Sequence, residues 1–215
     1  MCCRGRADCR PGSGSEGGSG ETGSQKADTA LRCRPPYPVE TVLLRRLYLF
    51  VFIELATRKV YLAGVTASPS GEWATQQARN IVETFVDRYE PIRFLIYDRD
   101  SKFTKAFDEV FRSEAIRTIR TPVRAPRANA FTERWIGRTR RECLDRLLVL
   151  NRRHLERVLA AYVCHYNAHR PHRSLGQRPP DAQEQPPASF TVTDLDRVRR
   201  RDVLGGLIHE YKAAA

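Results

Sequence analysis

A chain of 215 residues, 41% of them hydrophobic, has room for one ordinary domain with tails, and its net charge of +12 points to a polyanionic partner. No apolar run reaches the roughly 18 residues of a membrane span, and the first residues hold no apolar signal core. A membrane protein and a secreted one are thus not expected, and the cytoplasm is the expected location.

The charge is concentrated. Residues 117–178 hold fifteen Arg and no Lys against four acids, Glu133, Glu142, Asp145 and Glu156. Planar guanidinium forks suit phosphate, so nucleic acid is the expected partner, with a solvated helical face as the bland alternative. None of the six cysteines forms a C-x-x-C pair, which argues against zinc or a disulfide framework. Cys143 and Cys164 fall on helical faces and read as small buried hydrophobes.

In chain order, residues 1–36 are a Gly/Ser/Arg-rich head with almost no aliphatics, and such composition predicts disorder. Val39–Val42 reads as a short first strand. Leu47–Leu55 is a buried strand rich in aromatic and β-branched residues, and Thr57-Arg58-Lys59 turns it into a third strand over Val60–Thr66. Trp73, Ala74, Gln77, Ala78, Ile81 and Phe85 repeat with a period near 3.6, which predicts a helix over 72–88. Ile92–Tyr97 is a fourth strand, Phe107, Val110 and Phe111 mark a short helix, and Ile116–Ile119 is a fifth strand. Residues 129–149 predict a long basic helix with Trp135, Ile136, Leu144, Leu147 and Leu148 on its apolar face. Arg153–Ala168 predicts another. Residues 183–215 form a polar tail with short helices expected around Leu195 and Leu207. The order predicts an α/β domain over 37–182, a mixed five-stranded sheet flanked by helices.

Two acids stand out by position. Asp98 ends the fourth strand, where open α/β sheets bind ligands, although an Asp there also satisfies turn amides. Glu133 lies early in the basic helix, where it can serve simply to complement the helix N-terminus. A polynucleotidyl transferase needs acids from different elements to hold two divalent cations about 3.5–4 Å apart. A strand-end Asp and a helix Glu amid arginines suit that arrangement. Arg127, Arg134, Arg138 and Arg141 are candidate phosphate contacts, three of them on one helical stripe beside Glu133, with Asn129 and Lys102 as further candidates. His165 and His169 sit at i and i+4 with His172 beyond, a spacing that can bind zinc but lacks an H-E-x-x-H glutamate, so packing or DNA contact is preferred. Trp135 could stack on a base, but the core is the simpler reading.

Three segments carry a resemblance. Tyr97-Asp98-Arg99-Asp100-Ser101-Lys102-Phe103 resembles the S-D-N-G-x-x-F segment of integrase-core transposases. Pro126-Arg127-Ala128-Asn129-Ala130-Phe131-Thr132-Glu133-Arg134 resembles their P-x-x-N-A-x-x-E-R segment. Tyr166-Asn167-Ala168-His169-Arg170-Pro171-His172-Arg173-Ser174-Leu175-Gly176, followed by Pro179-Pro180, is similar to their Y-N-x-x-R-P-H-x-x-L-G signature. The resemblance, to bacterial insertion-sequence transposases of the retroviral-integrase type, implies a ribonuclease-H-like fold. It implies DNA cleavage and strand transfer by a D,D,E triad with Mg²⁺ or Mn²⁺, homo-oligomers on DNA, and no small-molecule substrate. It assigns Asp98 and Glu133 to the second and third carboxylates.

The sequence departs from that pattern twice. Asp100 stands where the family usually has Gly. The first Asp belongs on the first strand, and extrapolation puts it near Pro35, inside Cys33-Arg34-Pro35-Pro36-Tyr37-Pro38. Glu40 and Glu54 are the nearby acids, and neither matches that position. The abrupt change of character there suggests that residues 1–36 arose by a frameshift, a recombination junction or a misplaced start. A catalytically inactive remnant that binds DNA without sequence preference is therefore the alternative to an active transposase. A generic basic interaction protein is a third reading, which the three ordered motifs disfavour.

Overall fold

The computed structural model describes residues 29–85, 88, 90–122, 126–182 and 198–213, with only the backbone described for 126–129 and 212–213. A mixed six-stranded sheet carries helices on both faces. β1 (Ala30–Cys33) and β2 (Tyr37–Glu40) both run antiparallel to β3 (Arg46–Glu54), with Cys33 opposite Phe52 and Tyr37 opposite Leu49. They are two halves of one track. Three residues, Arg34, Pro35 and Pro36, face two on β3, so the track bulges there, and neither proline can donate to the ladder. β4 (Val60–Thr66) pairs with β3. β5 (Phe94–Tyr97) lies parallel to β1, and β6 (Arg117–Arg120) parallel to β5. Each of the five expected strands is thus present, the first shifted to Tyr37–Glu40, and β1 is a sixth strand that was not expected.

The head expected to run to residue 36 ends earlier. Ala30–Cys33, four residues that composition places in it, are buried between β3 and β5. Residues 1–28 of the head lie outside the described residues.

The side-chain alternation of β3 builds two cores. Phe50 and Phe52 join Leu31, Cys33, Leu95 and Tyr97 under α1 (Gly71–Glu83) and α2 (Lys105–Ser113). Leu47, Leu49, Val51 and Ile53 face α3 (Pro126–Glu142) and α4 (Arg152–Ala168). α1 starts at Ser70, whose Oγ accepts the Trp73 N–H at 3.1 Å, and stops short of residue 88 because Thr84 caps it, its Oγ1 donating to Ile81 O at 2.6 Å.

α3 ends at Glu142, seven residues before the expected end, in a 3-10 turn over Leu144–Arg146. Leu148 therefore leaves the apolar face and is 74% exposed. Trp135 is 2% exposed and stacks edge-on against Tyr162 and Tyr166, a core residue and not a free stacking platform. Cys143 is buried as expected, whereas Cys164 lies on the exposed side of α4.

The Y-N-x-x-R-P-H segment does structural work. Asn167 accepts the Val60 N–H at 3.0 Å and donates to Val60 O at 2.8 Å, which clamps the end of α4 to β4. Arg170 forks onto Glu142, joining the ends of α3 and α4. Burial pushes the Glu142 carboxyl up, but hydrogen bonds from Arg170 and Tyr162 outweigh it and hold the group below its ordinary value.

The expected helix around Leu207 is instead the end of a hairpin. β7 (Val198–Val203) and β8 (Ile208–Ala213) pair antiparallel across Leu204, Gly205 and Gly206, all at positive φ. Leu204, Leu207 and Ile208 pack against the α3–α4 core, and Glu210 meets His165 at 3.2 Å and His169 at 3.5 Å. Those two histidines thus hold the hairpin. The helix expected around Leu195 lies outside the described residues.

Candidate active site

The register sets the site. Cys33 pairs with Tyr97 in the parallel β1–β5 ladder, so Arg34 and Asp98 leave the sheet side by side. Leu31 and Cys33 face α1 and α2, and alternation turns Arg34 to the opposite face, where α3 carries Glu133. Arg34 Nε donates to Asp98 Oδ2 at 3.3 Å, and its Nη1 donates to Glu133 Oε1 at 3.0 Å. One guanidinium bridges the two predicted carboxylates, at side-chain exposures of 31% for Arg34, 16% for Asp98 and 54% for Glu133. Thr121 Oγ1, at the end of β6, donates to Asp98 Oδ1 at 3.0 Å and fixes its orientation.

Arg34, one residue before the extrapolated Pro35, is the residue that the end of β1 sets beside Asp98. The remaining acids are engaged elsewhere. Glu40 meets Arg46 at 3.5 Å. Glu54 ends β3 inside the fold, not at a sheet edge, and is forked by Arg88 at 2.8 and 3.0 Å. Asp100 accepts the backbone N–H of Lys102 at 2.8 Å and its Nζ at 3.2 Å, which closes the loop after β5 and satisfies Lys102 locally.

This donor set does not fit a pair of divalent metals. Hard cations need several oxygen ligands, and two of them need more than two carboxylates supply. Here two carboxylates face a guanidinium that cannot lose its proton. A divalent ion about 4 Å from it would be repelled by roughly 8 kcal/mol at a near-surface effective dielectric, before screening. Among the described residues no group of three or more His, Cys, Asp or Glu side chains could hold a metal ion.

Of the predicted DNA contacts, Arg134 and Arg141 are exposed on α3 and Arg138 is half-buried. Arg127 and Asn129 lie in the first turn of α3, and their side chains fall outside the described residues. Arg34, Arg58, Arg170 and Arg173 add basic groups that were not singled out for this role. Arg170 and Arg173 sit inside the third motif, which was the available signal, and Arg34 had none.

His172 sits among these arginines. Burial lowers its pKa below the usual 6.5, and Arg170, Arg138 and Arg58 lower it further. The folded chain thus binds this proton less readily than the unfolded one. The effect costs stability as pH falls through the unfolded value and is absent above it. Two-dimensional NMR titration should find His172 deprotonating below 6.5, and Arg138→Gln should move that midpoint upward. A midpoint at or above 6.5 in the wild type would contradict this account.

Comparison with known proteins agrees with the geometry. Residues 114–180 match the family model described as "Integrase core domain", a span that includes Glu133 and the third motif. The fold matches a chain of the simian T-cell lymphotropic virus intasome in complex with PP2A regulatory subunit B56 gamma. That match has a TM-score of 0.59 and 11% identity, and covers 87% of this chain and 70% of that one. It also matches the catalytic core domain of BIV integrase, with a TM-score of 0.50, 12% identity, and coverage of 72% of this chain and 91% of that one. No curated protein matches it in sequence. Over residues 114–180 the chain is similar to the integrase core domain, and its fold is the ribonuclease-H-like fold of integrase catalytic cores.

Proposed function

We propose that this chain is a DNA-binding integrase-type domain, descended from proteins of DNA integration and transposition, whose strand-cleaving centre is closed. The observation that carries the reading is Arg34, whose guanidinium bridges Asp98 and Glu133. A cation covalently part of the chain bridges both acids and offsets half of their charge, and no third carboxylate joins them among the described residues. What remains is a basic surface along α3 and the loop after α4. Its binding would be driven by phosphate and tolerant of sequence. Self-association on DNA is part of the same proposal and rests on the family resemblance.

The test uses labelled duplex DNA. Binding is expected to weaken steeply with salt, with a slope of about −0.9 per phosphate neutralised. Arg134→Ala should reduce that slope by about 1. Nicking and strand transfer with Mn²⁺ should be absent in the wild type. Cleavage by the wild type that Asp98→Asn abolishes would show a working centre and sink the closed-site reading. Salt-insensitive or absent binding would sink the DNA-binding one.

A further inference from the structure

A pocket of about 350 Å³ opens between α3, the β3–β4 turn and the loop after α4. Five arginines line it, Arg58, Arg134, Arg138, Arg170 and Arg173, and no acid does. Glu142 neutralises Arg170 from outside the lining. Arg58, Arg134, Arg138 and Arg173 have no ion-pair partner among the described residues.

The walls are built for a polar guest. Arg58 sits at φ 64° in the turn, its guanidinium 4.0 Å over the ring of Phe131, and its Nη1 is buried without a hydrogen-bond partner. Trp135 Nε1 and His172 Nε2, on two further lining residues, are likewise buried and unpartnered, and both side chains are more than nine-tenths buried. Buried polar nitrogens are nearly always satisfied, so the orphaned N–H donors of Arg58 and Trp135, with a His172 nitrogen that donates in its Nε2–H tautomer, mark a place around one cavity where an acceptor-rich ligand belongs. The uncompensated arginines require that ligand to be an anion. A tetrahedral oxyanion offers several acceptor oxygens in many directions, which suits guanidinium forks.

We propose that this pocket is a phosphate-binding site, taking either a phosphodiester of a nucleic acid strand or a free phosphate group. The first source rests on the DNA-binding reading and places one backbone phosphate beside Arg134, the neighbour of Glu133. The second stands without it.

The test adds inorganic phosphate to the full chain at constant ionic strength and follows thermal unfolding, with chloride as the control. Saturable stabilisation by phosphate is expected, and Arg58→Gln or Arg138→Gln should weaken its Kd roughly 10- to 100-fold, the loss of one charge-assisted hydrogen bond. Arg138→Lys keeps the charge and should retain part of the affinity, while circular dichroism confirms that each variant is folded. A duplex that competes with phosphate identifies the strand as the source. Phosphate binding with no competition identifies free phosphate. If phosphate stabilises no more than chloride, or the variants bind it as the wild type does, the pocket proposal is overturned. Salt-dependent DNA binding that survives both glutamine variants unchanged would leave the DNA-binding reading standing without this pocket.

Discussion

Arg34→Asp is expected to reverse how this protein responds to divalent cations. In the wild type the guanidinium already sits between Asp98 and Glu133 and repels a second cation there, so the melting temperature should be the same with Mn²⁺ as with a chelator. The variant places a third carboxylate at the end of β1, beside Asp98 by the register of the parallel ladder. Three acids brought together without the Arg34 cation repel one another, and in chelator the variant should melt below the wild type. Adding Mn²⁺ supplies what they lack. At about 100 times the Kd, binding contributes ~2.7 kcal/mol, which for a chain of this size is a rise of roughly 5–10 °C. Arg34→Ala removes the cation without adding an acid and should respond weakly. Arg34→Asp combined with Asp98→Asn should lose most of the gain. A wild type that gains as much from Mn²⁺ as the variant would mean that Arg34 yields to metal, and the closed-centre account would fail. The readout is stability, so it stands apart from whether the bulge at Pro35 and Pro36 lets chemistry return.

That experiment could not have been designed from the sequence, which gives Arg34 no role. Counting along a strand assumes one residue per ladder position, and at Arg34, Pro35 and Pro36 three residues face two on β3. Composition misled in the same place. Ala30–Cys33 is short and surrounded by head-like residues, yet β3 and β5 bury it. The strongly periodic elements were legible, α1, α4, β3 and β4 above all, because burial writes a period into the chain. Asp98 and Glu133 were legible as a pair, since strand end and helix start bring them together. Their shared partner was not, because a lone arginine in a basic head carries no pattern. The 198–213 hairpin was missed as well. Its apolar contacts come from the turn residues Leu204 and Leu207 and from Ile208, while β7 itself reads as a run of exposed charge.

Glu54 illustrates the opposite error, an acid that looks available in the sequence and is structural in the fold. It is 1% exposed, gripped by both arms of Arg88 and by the Tyr61 hydroxyl at 3.1 Å. Burial, with Glu54 alongside, pushes the Tyr61 hydroxyl well above its ordinary value, so Tyr61 stays a donor. The network ties the segment after α1 to the end of β3. Its removal is expected to cost more than any surface charge change in this chain. Arg88→Met leaves a carboxylate in the interior with one neutral donor, and breaking a buried pair this way costs about 3–5 kcal/mol. Urea unfolding should show that loss as a lower midpoint with an unchanged slope. Glu54→Gln in the Arg88→Met background removes the stranded charge and keeps an acceptor for Tyr61, so the double variant should be more stable than Arg88→Met alone. That ordering separates charge burial from lost packing. If the double variant is instead the less stable of the two, the stem of Arg88 matters more than its charge, and the Glu54 carboxylate does not depend on a cation to stay buried.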